Sequence, residues 1–334
     1  MRLRLFYTIF LFLSLLAASF TPASAEGRLL DILGNRKQEK SAGDDGMFGG
    51  LSCERLHKFI EKHKDKIEKR MGEGPVPSLT ASYGKHAEQN LAAYLPVKPI
   101  SAPIILMVHG GAWCIGDKAM TKVTLNKVNR WVTKGFIFVS INYRMIPDGA
   151  DVLMQAQDVA DALAYVQKHA KEWDGDADKI IVMGHSAGAH LISLIGADAK
   201  FSSHHGLRPW LGSVSLDSAS LDVMQNMKAK HPAFYDDAFG LDENFWVQMS
   251  PIEQVSNASL PWLGVCSSRH SDACRQAKAF AYKLSRLGIK AHVLEEDKGH
   301  GAINGELGEV GPYTDAVEGF MGSLDTEVAR LLKY

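Results

Sequence analysis

The chain has almost no net charge. Its 37 lysines and arginines stand against 38 aspartates and glutamates, a formal balance of −1. No electrostatic footprint therefore points to nucleic acid or to an anionic membrane surface. There is no long low-complexity tract and no internal repeat, so disordered and solenoid architectures are set aside. Beyond the N-terminus, no run is long and apolar enough to span a bilayer. Cysteine is scarce, with four in 334 residues. The adjacent His204 and His205 have no further ligands at a recognisable metal-site spacing, so neither metal nor cofactor is expected.

What is present begins with "MRLRLFYTIFLFLSLLAASFTPASA". Arg2 and Arg4, an apolar stretch from Leu5 to about Phe20, and Ala23-Ser24-Ala25 form the three-part pattern of a secretory signal peptide over 1–25. An uncleaved anchor is the alternative, but the apolar run is shorter than the ~20 residues a span requires. The expectation is an exported chain, periplasmic or secreted, with no stable membrane span after cleavage, in a compartment where disulfides persist. Residues 26–75 read as a polar extension, with "QEKSAGDDGMFGG" as loop and "CERLHKFIEKHKDKIEKRMG" as a charged helix. Leu56, Phe59, Ile60, His63 and Ile67 share one side of that helix.

From 76 to 334 the pattern is that of one large domain. "SLTASYG" and "NLAAYLPV" read as a hairpin, followed by "PIILMVH", "FIFVSINY", "KIIVMG", "LGSVSL", "PWLGVC" and "KAHVLEE". The latter runs are short and rich in Ile, Val, Leu and Phe, as buried parallel strands are. Between them lie helical patterns. Val152, Ala156, Val159, Leu163 and Val166 recur at spacings of three and four, as do Ala277, Phe280, Ala281 and Leu284 before Gly288. The expected fold is α/β, a mostly parallel eight-stranded sheet with helices on both faces. A stretch at about 218–258 is too long for a simple crossover and is expected to form a small helical cap. Its Phe234, Tyr235, Phe239, Phe245 and Trp246 line a pocket or form the cap's own core.

"GHSAGAH" follows the strand "KIIVM" and opens the helix "AGAHLISLIGADA". Ser186 thus stands on a sharp strand-to-helix turn at the carboxyl edge of the sheet, between Gly184 and Gly188, in the setting of a nucleophile elbow. A serine hydroxyl needs a base to take its proton and a carboxylate to orient the base. Thirteen histidines compete for the base. Only His300, in "DKGHGAIN", follows the last strand. His185 and His190 read as packing residues, and His292 lies within a strand. For the acid, Asp272 in "SSRHSDACRQ" after "PWLGVC" is favoured, and Asp217, directly after "LGSVSL", is the rival one strand earlier. Gly110 and Gly111 in "VHGGAW", with the N–H of Ala187, supply the donors that acyl transfer requires around a developing oxyanion.

"HGGAW…GDK", "INYRM", "GHSAGAHL" and "GHGAIN", in this order and spacing, resemble the α/β-hydrolase superfamily. The resemblance covers roughly Ser78 to the C-terminus. It is to the esterase branch of hormone-sensitive-lipase-like and feruloyl-esterase-like carboxylesterases and arylformamidases. It implies Ser186 as nucleophile, His300 as base, Asp272 as acid, Gly110, Gly111 and Ala187 as oxyanion donors, and a small-molecule ester as substrate. This sequence has Ala112 where the branch often has a third glycine, and it lacks the common glycine-x-x-aspartate form at the acid. Amide hydrolysis, by an arylformamidase or peptidase, is the alternative chemistry, and a non-catalytic binder is the third reading. Among the cysteines, Cys266 with Cys274 is the favoured bridge, leaving Cys53 for Cys114; four buried thiols are the alternative.

Overall fold

A computed structural model describes residues 52–58, 62, 74–218, 220–269 and 271–333. The expected signal peptide at 1–25, and Phe59, Ile60, His63 and Ile67 of the expected N-terminal helix, lie outside the described residues. Of that helix, 53–58 is helical, and its Leu56 is buried.

The strands are β1 (Leu79–Ser82), β2 (Asn90–Tyr94), β3 (Ala102–Val108), β4 (Ile137–Ile141), β5 (Gly175–His185), β6 (Gly212–Leu216), β7 (Trp262–Ser267) and β8 (Ala291–Glu296). They form one eight-stranded sheet in the order β1-β2-β4-β3-β5-β6-β7-β8. β1 and β2 form the antiparallel hairpin read from the sequence, and β2 meets β4 antiparallel with Leu91 opposite Ile141. Every pairing from β4 through β3 to β8 is parallel.

Alternation along the strands builds two cores. Ile104, Leu106, Val108, Ile180 and Val182 point to one face, where Val152, Val159, Leu163 and Leu191 cover them. Ile105, Met107, Ile181, Met183, Val214 and Val265 point to the other, under Trp131, Val317, Phe320 and Met321. Covering on both faces explains why these strands read as continuous apolar runs. The main covering helices are α1 (Thr121–Lys127), α2 (Val152–His169) and α3 (Ala187–Ala197). After β7 come α4 (Ser271–Ser285), α5 (His300–Gly305), α6 (Pro312–Gly322) and α7 (Thr326–Leu332). Asp151 caps α2 by accepting from Met154 N–H, and Gly288, with φ of 76°, ends the turn after α4. Arg144, in "INYRM", grips buried Asp158 with two guanidinium bonds of 2.8 and 2.6 Å, fixing the exit of β4 to α2.

Between β6 and β7, where the cap is expected, the chain forms helices Val223–Lys228, Ala233–Phe239, Glu243–Met249 and Pro251–Gln254. Phe239 and Trp246 are buried, and the Trp246 indole N–H is shared by the carbonyls of Phe239 and Gly240. Phe234, Tyr235 and Phe239 all pack on Trp113. The aromatic residues of this insert therefore pack among themselves and onto the loop after β3.

Two disulfides are formed. Cys266–Cys274 joins the end of β7 to the first turn of α4, and Cys53–Cys114 joins the N-terminal helical segment to the loop after β3.

Candidate active site

Parallel strands bring their carboxyl ends to one edge, and the loops leaving that edge hold the candidate residues. Ser186 occupies the step from β5 into α3 with φ 53° and ψ −117°, a left-handed backbone no β-carbon adopts without strain. Its N–H donates to Leu216 O at 2.9 Å, locking the turn to the end of β6. The flanking glycines have a steric reason. A β-carbon on Gly184 would stand 2.4 Å from Gly188 O, and one on Gly188 would stand 2.3 Å from Val108 O and 2.5 Å from His109 O. Strand, turn and helix pass too closely for any side chain at either place.

His300 is the first residue of α5, a short helix not read from the sequence. Its Nδ1 meets Asp217 Oδ2 at 2.7 Å. Asp217 is the residue after β6, itself at φ 54°, and is 2% exposed. The other carboxylate oxygen accepts the Ser267 N–H at 2.7 Å. Burial alone would raise the Asp217 carboxyl. The hydrogen bond and charge of His300, with the Ser267 N–H, outweigh it and hold the group below its ordinary value.

This geometry corrects the expected acid. Asp272 sits in the first turn of α4 with its side chain 72% exposed, paired with Arg275 at 2.7 Å. It bonds neither histidine nor strand end among the described residues. The reason lies at the ends of β6 and β7. The left-handed turn at Asp217 delivers a carboxylate beside the elbow, while the end of β7 contributes the Ser267 N–H that receives it. The preferred strand position was one too late, and the rival aspartate fills the place.

His185 and His190 are packing residues, as their sequence positions suggest. His185 is buried and donates from Nε2 to His300 O at 3.1 Å, its ring 4.5 Å from that of His300. Burial holds it neutral, with its pKa well below the usual histidine value. His190 donates from Nε2 to Met249 O at 2.8 Å, and burial lowers it to about 4. His292 lies in β8.

The loop after β3 shows how peptide planes are aimed. In a trans peptide the C=O and N–H point in opposite directions. The His109 carbonyl accepts the Tyr143 hydroxyl at 3.0 Å, and the Gly110 carbonyl accepts the His109 Nδ1–H at 2.8 Å. The Gly111 carbonyl accepts Cys114 and Ile115 N–H groups at 3.0 and 3.1 Å. Each tether holds a carbonyl back, so the N–H groups of Gly110, Gly111 and Ala112 face the other way; none finds an acceptor among the described residues. Gly110 lies so close to the elbow that a β-carbon there would stand 2.8 Å from Ser186 Cβ. Gly111 runs at φ 137°, with its missing side chain's place taken by Ile115 O. Ala187 opens α3, where first-turn N–H groups lack helical acceptors. The structure thus gathers Ser186, His300, Gly110, Gly111 and Ala187 at one edge with Asp217. The tethering roles of His109 and Tyr143 were not read from sequence, although both lie within the quoted "VHGGAW" and "INYRM". His109, stacked on Tyr143 at 4.7 Å, is pushed down to about 4 by burial and stays neutral.

Among the described residues no three His, Cys, Asp or Glu side chains gather to hold a metal, and no helix is long and apolar enough to cross a membrane. The sheet order, the elbow after β5 and the imidazole after β8 define an α/β-hydrolase. Within that class the chain belongs to the BD-FAE family, whose model matches residues 91–282. Esterase LipC of Mycobacterium tuberculosis is 26% identical over 266 residues, 72% of this chain and 62% of that protein. A probable isoprenylcysteine alpha-carbonyl methylesterase of Arabidopsis thaliana is 34% identical over 249 residues, 68% of this chain and 51% of that protein. The chain thus spans between 51% and 62% of the length of these relatives. A truncated carbohydrate esterase from gut microbiota superposes with a TM-score of 0.63 at 20% identity, covering 78% of this chain and all of that one, a likeness of fold.

Proposed function

We propose that this protein is an exported carboxylic-ester hydrolase that works through Ser186, His300 and Asp217. One observation carries the reading. A strained serine at the elbow is tied to the end of β6, and the residue just after that strand, Asp217, holds Nδ1 of His300 at 2.7 Å. The bond fixes the tautomer with the proton on Nδ1 and leaves Nε2 as the base. In this mechanism Nε2 takes the Ser186 Oγ proton as the oxygen attacks the ester carbonyl. The carbonyl oxygen gains a negative charge that the N–H groups of Gly110, Gly111 and Ala187 receive. Collapse of the tetrahedral species breaks the bond to the alcohol, which leaves with the proton from His300. Water then attacks the acyl-Ser186 ester by the same route in reverse and frees the acid. The names of the two curated relatives above, an esterase and a probable methylesterase, favour an ester over an amide. Export is supported by the leader pattern at 1–25 and by the two disulfides.

The test is turnover of short-chain p-nitrophenyl esters, run beside N-formylkynurenine and a proline amide, for wild type and Ser186→Ala. We expect ester hydrolysis that falls by several orders of magnitude in the variant while the melting temperature holds. Wild-type protein inert on every ester, or a variant keeping more than about a tenth of the rate, would refute the reading.

A further inference from the structure

Lys127, the last residue of α1, is 1% exposed. No carboxylate pairs with it among the described residues, and an ammonium in such a place is costly unless its donors are used. They are used on main-chain carbonyls. Nζ donates to Asn304 O at 2.5 Å and to Lys122 O at 3.3 Å. Asn304 belongs to the end of α5, the short helix whose first residue is His300. A cation at a helix C-terminus complements its unsatisfied carbonyls, so the bond suits the place as well as the atoms. The other end of α5 is held through the His300 carbonyl, which receives His185 Nε2–H. A helix of six residues has little rigidity of its own, and this one is pinned at both ends by side chains from α1 and β5.

We propose that Lys127 is a positioning residue for His300, clamping the carbonyl end of α5 so that the imidazole stays between Asp217 and the elbow. The proposal rests on the reading of His300 as the base. It also has an electrostatic consequence. The Lys127 charge acts on His185, and burial brings Lys127 itself down to about 7. The titratable groups around α5 are Asp217 after β6, His185 on β5, Lys122 and Lys127 on α1, Tyr313 on α6, whose hydroxyl donates to Ile303 O at 2.8 Å, and Lys298 with Glu306, which pair at 2.6 Å. Lys127 is therefore the cation here without a carboxylate of its own. A nearby cation disfavours the protonated ring, so the Lys127 charge helps keep His185 neutral while it donates to the His300 carbonyl.

The experiment compares wild type, Lys127→Met and Lys127→Gln on p-nitrophenyl butyrate, with kcat and KM resolved separately and melting temperatures beside them. Methionine keeps the length but removes both donors and charge; glutamine keeps a donor. We expect Lys127→Met to lose on the order of ten- to a hundredfold in kcat with KM nearly unchanged, since misplacement of a reacting group costs this much. Lys127→Gln should recover most of kcat, since its amide keeps a donor for the Asn304 carbonyl. Unchanged kcat in Lys127→Met would overturn the proposal. So would kcat losses that follow the melting temperature in both variants with no rescue by glutamine, for Lys127 would then be a core residue only. If Lys127→Met fails to fold, the glutamine variant decides by its kcat well below its melting temperature: a loss with KM unchanged supports the clamp, and full wild-type kcat overturns it. Failure of the parent reading looks different: wild type would lack ester turnover, or Ser186→Ala would retain it.

Discussion

At the scale of single residues, the site turns on which aspartate faces the imidazole. Asp217 is buried, bonded to His300 and to a backbone N–H, while Asp272 is solvated and paired with Arg275. Asp217→Asn should cost about four orders of magnitude in kcat, because an amide at that place stabilises the wrong tautomer. Asp272→Asn should stay near wild type. Steady-state kinetics on both variants checks the pair, and the reverse outcome would move the role to Asp272. The depressed carboxyl of Asp217 also has a sign in stability. Its folded value lies below its unfolded one, so its contribution is present above the unfolded value near 3.8 and is lost as pH falls through the folded value. That loss belongs to strongly acidic solution, well below the working range of the imidazole.

At the scale of elements, the elbow and the loop after β3 are machines for aiming backbone. Tyr143→Phe removes only the hydroxyl that holds the His109 carbonyl. It should lower kcat by about tenfold, less than loss of a direct oxyanion donor, at a cost of about 1 kcal/mol in stability. Turnover and thermal melting of this one variant separate the two effects. The elements themselves were legible because burial on both faces writes a strand as an apolar run, and because three-and-four spacing marks α2 and α4. Ser186 and His300 were legible because chain order and glycine flanks place them at the sheet edge. The acid was placed at Asp272 rather than Asp217, because both candidates follow a core strand. What separates them is a left-handed turn at Asp217 and a hydrogen bond from a residue 50 positions away, neither of which has a local signature. Helix α5 escaped for a similar reason. It is short and is held by distant groups, His185 and Lys127, more than by its own periodicity.

At the scale of the whole molecule, buried neutral histidines and two disulfides set the conditions under which the fold holds. His109 and His190 titrate at about 4 in the fold, and His185 also lies far below its usual value. The unfolded chain takes up those protons near 6.5, so it binds more protons than the fold between about 4 and 6.5. Stability should therefore fall as pH drops through that window, by about 1.4 kcal/mol per unit for each histidine. Urea midpoints from pH 7 to 4 measure the slope, and a flat profile would contradict buried neutral rings. The disulfides act differently from each other. Cys53–Cys114 closes a separation of 61 residues, worth about 4 kcal/mol in the chain-entropy account, against about 2–3 kcal/mol for Cys266–Cys274 at a separation of 8. Cys53 also donates its N–H to Asp237 of the insert at 2.6 Å, so the long bridge ties the loop after β3 and the insert to one anchor. The short bridge ends beside Ser267, the donor to Asp217. The Cys53→Ser/Cys114→Ser double variant should melt about ten degrees lower. The Cys266→Ser/Cys274→Ser double variant should melt only about five degrees lower, yet lose turnover at temperatures where it remains folded. Activity measured well below each melting transition decides the matter. If the short-bridge variant keeps full turnover until it unfolds, that bridge stabilises the chain without holding the carboxylate, and Ser267 is placed by the β6–β7 pairing alone.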